Sequence, residues 1–290
     1  MFYKPGEIVE QYISSGVSKS KLSIEQLIGK SILAGAMIAM GASCSSVAAH
    51  SISNVGIARL VAGCVFPVGL MMVIVLGAEL FTGDCLLSLT LADRKLSIFQ
   101  FLRILVCVYL GNFLGGIILA ILVFFSGQFN YSGGQLGAYT IKVALAKVQM
   151  TPVQAISSGI LCNILVCAAV LIAISAKDIT GKLLTSFFVI MPFVTGGFEH
   201  CVANMYYIPA GLLAKTNYHY IEVLSSVYGI SDISDLSVVG FLVNNLLPVT
   251  IGNIIGGSVC VGLAMYYLNT TRKRRKENDI SLDCISSAGN

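Results

Sequence analysis

The sequence predicts an all-α membrane protein: six transmembrane helices in two inverted three-helix repeats, with the second and fifth helices interrupted. Three observations carry that prediction. Of 290 residues, 56% are hydrophobic and only 11% charged, at a mean hydropathy of +0.85. A soluble domain of this length needs more charge to cover its surface. Six apolar segments reach the roughly 20 residues that a helix needs to cross a bilayer, and motifs in the first half of the chain return in the second.

The elements follow in order. Residues 1–26 carry Lys4, Glu7, Glu10, Lys19, Lys21 and Glu25, too many charges for the core of a signal peptide. They read as a cytoplasmic N-terminal region. The membrane domain covers 27–268, with spans at 27–49, 56–81, 103–126, 153–175, 183–213 and 239–268. The connections 127–152 and 214–238 have room for short surface helices. Residues 269–290 form a polar tail containing the run Arg272-Lys273-Arg274-Arg275-Lys276. So close to a span, that run reads as a topology anchor and not as a nucleic-acid site.

Six spans put both termini on one side. Lys and Arg then number 14 on that side against four on the other, Arg59, Lys142, Lys147 and Lys215. The positive-inside rule assigns both termini to the cytoplasm. Nine cysteines are scattered mostly through apolar runs without C-x-x-C spacing. They read as small buried thiols, with no disulfide or metal framework and no cofactor implied.

The internal repetition is specific. Gly111-Asn112-Phe113-Leu114-Gly115-Gly116 in the third span is matched by Gly252-Asn253-Ile254-Ile255-Gly256-Gly257 in the sixth. Gly77-Ala78-Glu79-Leu80-Phe81-Thr82-Gly83 closes the second span, and Gly196-Gly197-Phe198-Glu199-His200 lies in the fifth. Each half, about 27–126 and 153–268, thus holds three spans with a Glu beside a glycine-weakened point. Three is odd, so the second copy enters the membrane from the opposite side, and a site is expected near the midplane. The glycines at i and i+4 suit close helix packing. Asn112 and Asn253 either brace the breaks or face the pore.

Glu199 and His200 stand out chemically. A charged residue at membrane depth costs roughly 2.5–3.5 kcal/mol on insertion scales and persists where it faces a partner or a water-filled path. Glu199 has a counterpart in Glu79, so both read as structural braces. His200 has no ionisable counterpart in the first half, which singles it out for chemistry.

Glu79-Leu80-Phe81-Thr82-Gly83, Phe198-Glu199-His200-Cys201-Val202-Ala203-Asn204-Met205 and Asn245-Leu246-Leu247-Pro248-Val249-Thr250-Ile251-Gly252-Asn253 resemble signatures of the formate/nitrite transporter family. The resemblance runs from about Tyr12 to Tyr267 and is strongest to the formate channels. It implies a homopentamer of aquaporin-like six-helix protomers in the lipid bilayer of a bacterial inner (plasma) membrane. These conduct small monovalent weak-acid anions such as formate, nitrite or hydrosulfide. By the same resemblance, His200 is the central pore histidine and Thr82 the hydroxyl facing it. Leu70, Leu80 and Phe193 match a cytoplasmic constriction, and Phe66, Phe81 and Val166 an outer one. Lys147 matches a basic residue of the outer vestibule, and Asn163 and Asn253 match polar groups near the pore. Asp84 departs from the pattern, since many relatives carry Asn or Ser there.

The chemistry agrees with that reading. Bare charge in a narrow apolar passage is very costly, so two apolar rings would stop hydrated ions and admit a neutral or nearly neutral species. A histidine between them, with an ordinary pKa of about 6.5, is suited to attracting an anion or protonating it transiently. Two other classes compete. A membrane enzyme would need a second intramembrane histidine at ligand spacing or a motif such as H-E-x-x-H, and neither occurs. A neutral-solute facilitator would carry paired Asn-Pro-Ala motifs, and Asn204 is followed instead by Met205.

Overall fold

The computed structural model describes residues 2–270, and the regular elements among them are all helical. The basic run Arg272–Lys276 lies outside the described residues. In chain order the helices are α1 (Pro5–Ser20), α2 (Ile24–Ala49), α3 (Val55–Leu76), α4 (Phe81–Ala92) and α5 (Ile98–Phe125). They continue as α6 (Gln135–Val148), α7 (Pro152–Ser175), α8 (Ile179–Gly196), α9 (Cys201–Ala214), α10 (Tyr218–Tyr228) and α11 (Gly240–Thr270). Six of them, α2, α3, α5, α7, α8 and α11, are long and apolar enough to cross a membrane.

The sequence fixes several starts locally. Ser23 with Gln26, Ser97 with Gln100 and Thr151 with Gln154 form reciprocal capping boxes at the first turns of α2, α5 and α7. Pro67 divides α3 into Val55–Val65 and Val68–Leu76. Left-handed glycines close both of the segments that lead into the breaks: Gly77 (φ 64°) closes α3 and Gly197 (φ 71°) closes α8. A side chain at either would be strained, which is why glycine stands there. Residues 77–80 and 197–200 are therefore non-helical, and the chain turns helical again at Phe81 and Cys201. The fifth segment expected at 183–213 accordingly consists of two elements, and the second segment expected at 56–81 ends its helix at Leu76.

Two helix pairs form the centre, α2 against α5 and α7 against α11. Each crosses at a glycine with no room for a Cβ: Gly115 lies on the Ile32 carbonyl and Gly256 on the Ile160 carbonyl. Backbones approach so closely only where the side chain is absent. α11 carries two π-helical stretches, Gly240–Leu246 and Ile255–Leu263. Large apolar side chains such as Phe99, Phe125, Phe188 and Leu122 remain exposed, as expected of helices that face hydrocarbon or neighbouring apolar protein.

Candidate functional site

The short helices α4 and α9 begin next to each other. Leu80 and His200, the residues just before them, are both extended (φ −116°, ψ 123° and φ −112°, ψ 113°). Thr82 in the first turn of α4 touches His200 at the start of α9, and the positive dipole ends of the two helices favour negative charge there.

Asparagines hold the two breaks open. Asn112 Oδ1 accepts from Phe81 N at 2.9 Å, and its amide donates to Glu79 O (3.0 Å) and Ser31 O (2.7 Å). Asn253 Oδ1 accepts from Cys201 N at 2.9 Å, and its amide donates to Glu199 O (3.0 Å) and Gly159 O (2.8 Å). Backbone groups freed by a broken helix must find partners in an apolar interior. These two side chains supply them. Asn163 supports the second break by donating to Asn253 O at 2.6 Å. Asn163 and Asn253 line neither of the two cavities flanking the site, and of the two alternatives left open for Asn253, bracing is the one its bonds perform.

Thr82 and His200 meet between the half-helices, with Oγ1 and Nε2 2.9 Å apart and both residues buried. His200 Nδ1 accepts from Ala203 N at 3.0 Å, capping α9. With Nδ1 occupied as an acceptor, the neutral ring carries its hydrogen on Nε2, an assignment that follows from the bonding network.

A cavity of about 720 Å³ on the α6 side reaches His200 past Phe66 and Phe193, and Arg59, Lys142 and Lys147 line its wall. A second, of about 420 Å³, on the α1 side is bounded by Leu70 and Leu80, with Lys19, Lys30, Lys182 and the carboxylates of Glu79 and Asp84 around it. The cations of the α6-side cavity raise the local concentration of anions. The cavities share no lining residue. Phe193 packs edge-on against Phe66 at 5.6 Å, and its ring lies tilted beside that of His200 at 5.8 Å. It therefore belongs with Phe66 on the α6 side, and not with Leu70 and Leu80 as expected from sequence. Phe81 and Val166 line neither cavity; Phe81 packs on Tyr109 with ring centroids 4.8 Å apart, and Val166 is buried in α7.

The glutamates sit in charged clusters. Lys147 Nζ contacts Glu199 Oε1 at 2.7 Å, while Asn204 and Asn245 donate to Oε2 at 2.7 and 3.1 Å. On the other side Lys19 of α1 pairs with Glu79 Oε2 at 2.6 Å and with Asp84. Burial alone would lower the pKa of the Lys19 ammonium; Asp84 and Glu79 outweigh it and hold it well above the ordinary lysine value. The sequence reading missed Lys19, Asn204 and Asn245. Their polar character at helical positions was visible, but the partners lie far away in the chain.

A family model described as formate/nitrite transporter matches residues 6–267. The formate channel FocA of Haemophilus influenzae is 41% identical over 221 residues, covering 74% of this chain and 76% of that one. Among solved structures, a pentameric formate channel with formate bound aligns at a TM-score of 0.75 and 34% identity, over 84% of this chain and 97% of its own. An FNT family ion channel aligns at 0.78 and 27%, over 90% and 98%.

Proposed function

Because the chain belongs to the formate/nitrite transporter family, we propose that it is a channel for small monovalent weak-acid anions, formate first among them, working as a homopentamer in the inner membrane. The observation that carries this reading is the buried Thr82–His200 pair, set between two lysine-bearing cavities, the α6-side one reaching His200 past Phe66 and Phe193 and the α1-side one bounded by Leu70 and Leu80.

The path runs through each protomer. An anion collects at Arg59, Lys142 and Lys147, sheds water at Phe66 and Phe193, and meets Nε2–H of a neutral His200. That hydrogen is donated to the substrate oxygen in place of Thr82, and the Thr82 hydroxyl joins as the second contact. Leu70 and Leu80 form the barrier on the far side. Since Nδ1 already serves as the cap of α9, the ring acts as a donor to an anion that takes its proton from cavity water. This replaces the transient protonation of the anion by the histidine itself that the sequence suggested. The apolar rings make the neutral acid the form that crosses most cheaply.

The two halves form an inverted repeat with α3–α4 and α8–α9 as interrupted spans. Matched bonding by Asn112 and Asn253 supports it, and so does matched packing of Gly115 and Gly256. The charge bias of the sequence supports cytoplasmic termini, which puts the α1-side cavity on the cytoplasmic face.

The test is flux of formate, nitrite and hydrosulfide into proteoliposomes across a pH series, beside osmotic water flux. Formate flux that rises with acidity and collapses in His200→Phe is expected. Undiminished, pH-insensitive formate flux in that variant overturns the role of His200. Nitrite or hydrosulfide moving faster than formate reassigns the substrate within the class, and water flux without anion flux supports a neutral-solute facilitator.

A further inference from the structure

The two lysine–glutamate clusters differ in charge balance. At the fifth position after Glu199 stands Asn204, an amide that donates to the glutamate. At the fifth position after Glu79 stands Asp84, a second carboxylate. The Glu199 cluster balances one cation against one carboxylate and completes it with the amides of Asn204 and Asn245. The Glu79 cluster sets the single ammonium of Lys19 between two carboxylates, which are 4% and 1% exposed. Asp84 Oδ2 has no hydrogen-bond partner although Asp84 borders the α1-side cavity.

Other ionisable groups do not cancel the excess. Tyr12 of α1 donates to Gly83 O at 2.9 Å, Lys30 of α2 to Gly77 O at 3.2 Å and Cys167 of α7 to Thr82 O at 3.3 Å. Lys182 of α8 lines the same cavity, and among the described residues Lys19 makes the ion pairs to these carboxylates. Two carboxylates sharing one buried site cannot both ionise cheaply, and one proton between them relieves the excess charge.

We propose that Glu79 and Asp84 hold one exchangeable proton, which gives the α1-side mouth of the pore a shared-carboxylate proton site that the single-carboxylate Glu199 cluster lacks. With the proton bound, the cluster of Lys19, Glu79 and Asp84 is neutral. Without it, the cluster carries a net negative charge beside the path and repels anions. Passage from the α1 side then depends on the pH of that side, separately from any pH dependence at His200. The inference rests on the channel reading for its effect on flux, while the bound proton itself is readable without transport.

Infrared difference spectroscopy on the full chain in lipid, stepped between about pH 5 and 9, the range in which an ordinary carboxylate is ionised, detects the bound proton directly. A protonated-carboxyl carbonyl band in the wild type, lost in Asp84→Asn, is expected; Glu79→Gln serves as the second variant if Asp84→Asn fails to fold. No such band in the wild type, or a band that survives in the folded variant, overturns the proposal. Formate flux with the pH varied on one face at a time is the second measurement. Loss of the α1-side pH dependence in Asp84→Asn supports the inference, and an unchanged sided profile overturns its effect on flux. Absence of formate flux in the wild type would sink the channel reading and leave the infrared result to decide the proton.

Discussion

Asn112 and Asn253 make the same three hydrogen bonds at the two breaks: each accepts the first backbone N–H of a half-helix and donates to the carbonyl of the preceding glutamate and to a neighbouring spanning helix. A break in a spanning helix strips carbonyls and amides of partners where no water reaches them. One buried amide at each break supplies partners of both kinds.

Removing either amide is therefore costly. Asn112→Ala and Asn253→Ala are each expected to destabilise the protein by about 2–4 kcal/mol, because a lost bond leaves a buried group unsatisfied. Thermal unfolding in detergent should show clear drops for both, similar in size. A fall confined to one of them would mean that the matched bonds do unequal service.

Thr82 gives a sharper test of the pore. Its hydroxyl lies 2.9 Å from His200 Nε2. Thr82→Ser keeps the oxygen and should keep most of the formate flux. Thr82→Val keeps the shape, leaves the imidazole without its partner and should lower flux by roughly tenfold, the worth of one net hydrogen bond of about 1.4 kcal/mol. Equal flux in the two variants would remove the hydroxyl from the mechanism.

The pairing of Lys147 with Glu199 should show strong coupling. Lys147→Met alone strands a buried carboxylate, at a cost of about 3–5 kcal/mol. Glu199→Gln with Lys147→Met leaves a neutral acceptor for Asn204 and Asn245 and should recover part of that loss. Additive effects in a double-mutant cycle would show that the pair is not a unit.

The pH behaviour of α1 follows from Lys19. Its folded-state pKa is raised, so the stabilisation is fully present below the unfolded value of about 10.4 and is lost only as pH rises through the folded value. Docking of α1 should thus persist through neutral and mildly alkaline conditions, read by hydrogen exchange over residues 5–20. Release of α1 near neutrality would contradict the charge on Lys19.

Hydropathy and composition alone determined that this chain is a six-span membrane protein, and Gly77 and the Gly196-Gly197 pair marked where two of its segments weaken. These are local properties, written in consecutive residues. The Phe-Glu-His and Glu-Leu-Phe-Thr strings pointed to His200 and Thr82, yet their approach to 2.9 Å came from the packing of α4 against α9. Tertiary structure also moved Phe193 beside Phe66, turned Asn253 toward backbone, and joined Lys19 to Glu79 and Asp84. Each of those is a meeting of helices distant in sequence, and a ring or an amide in an apolar run looks the same whether it faces a neighbour, a cavity or lipid. Spacing fixes the face of a helix, but only the neighbouring helix decides what that face touches.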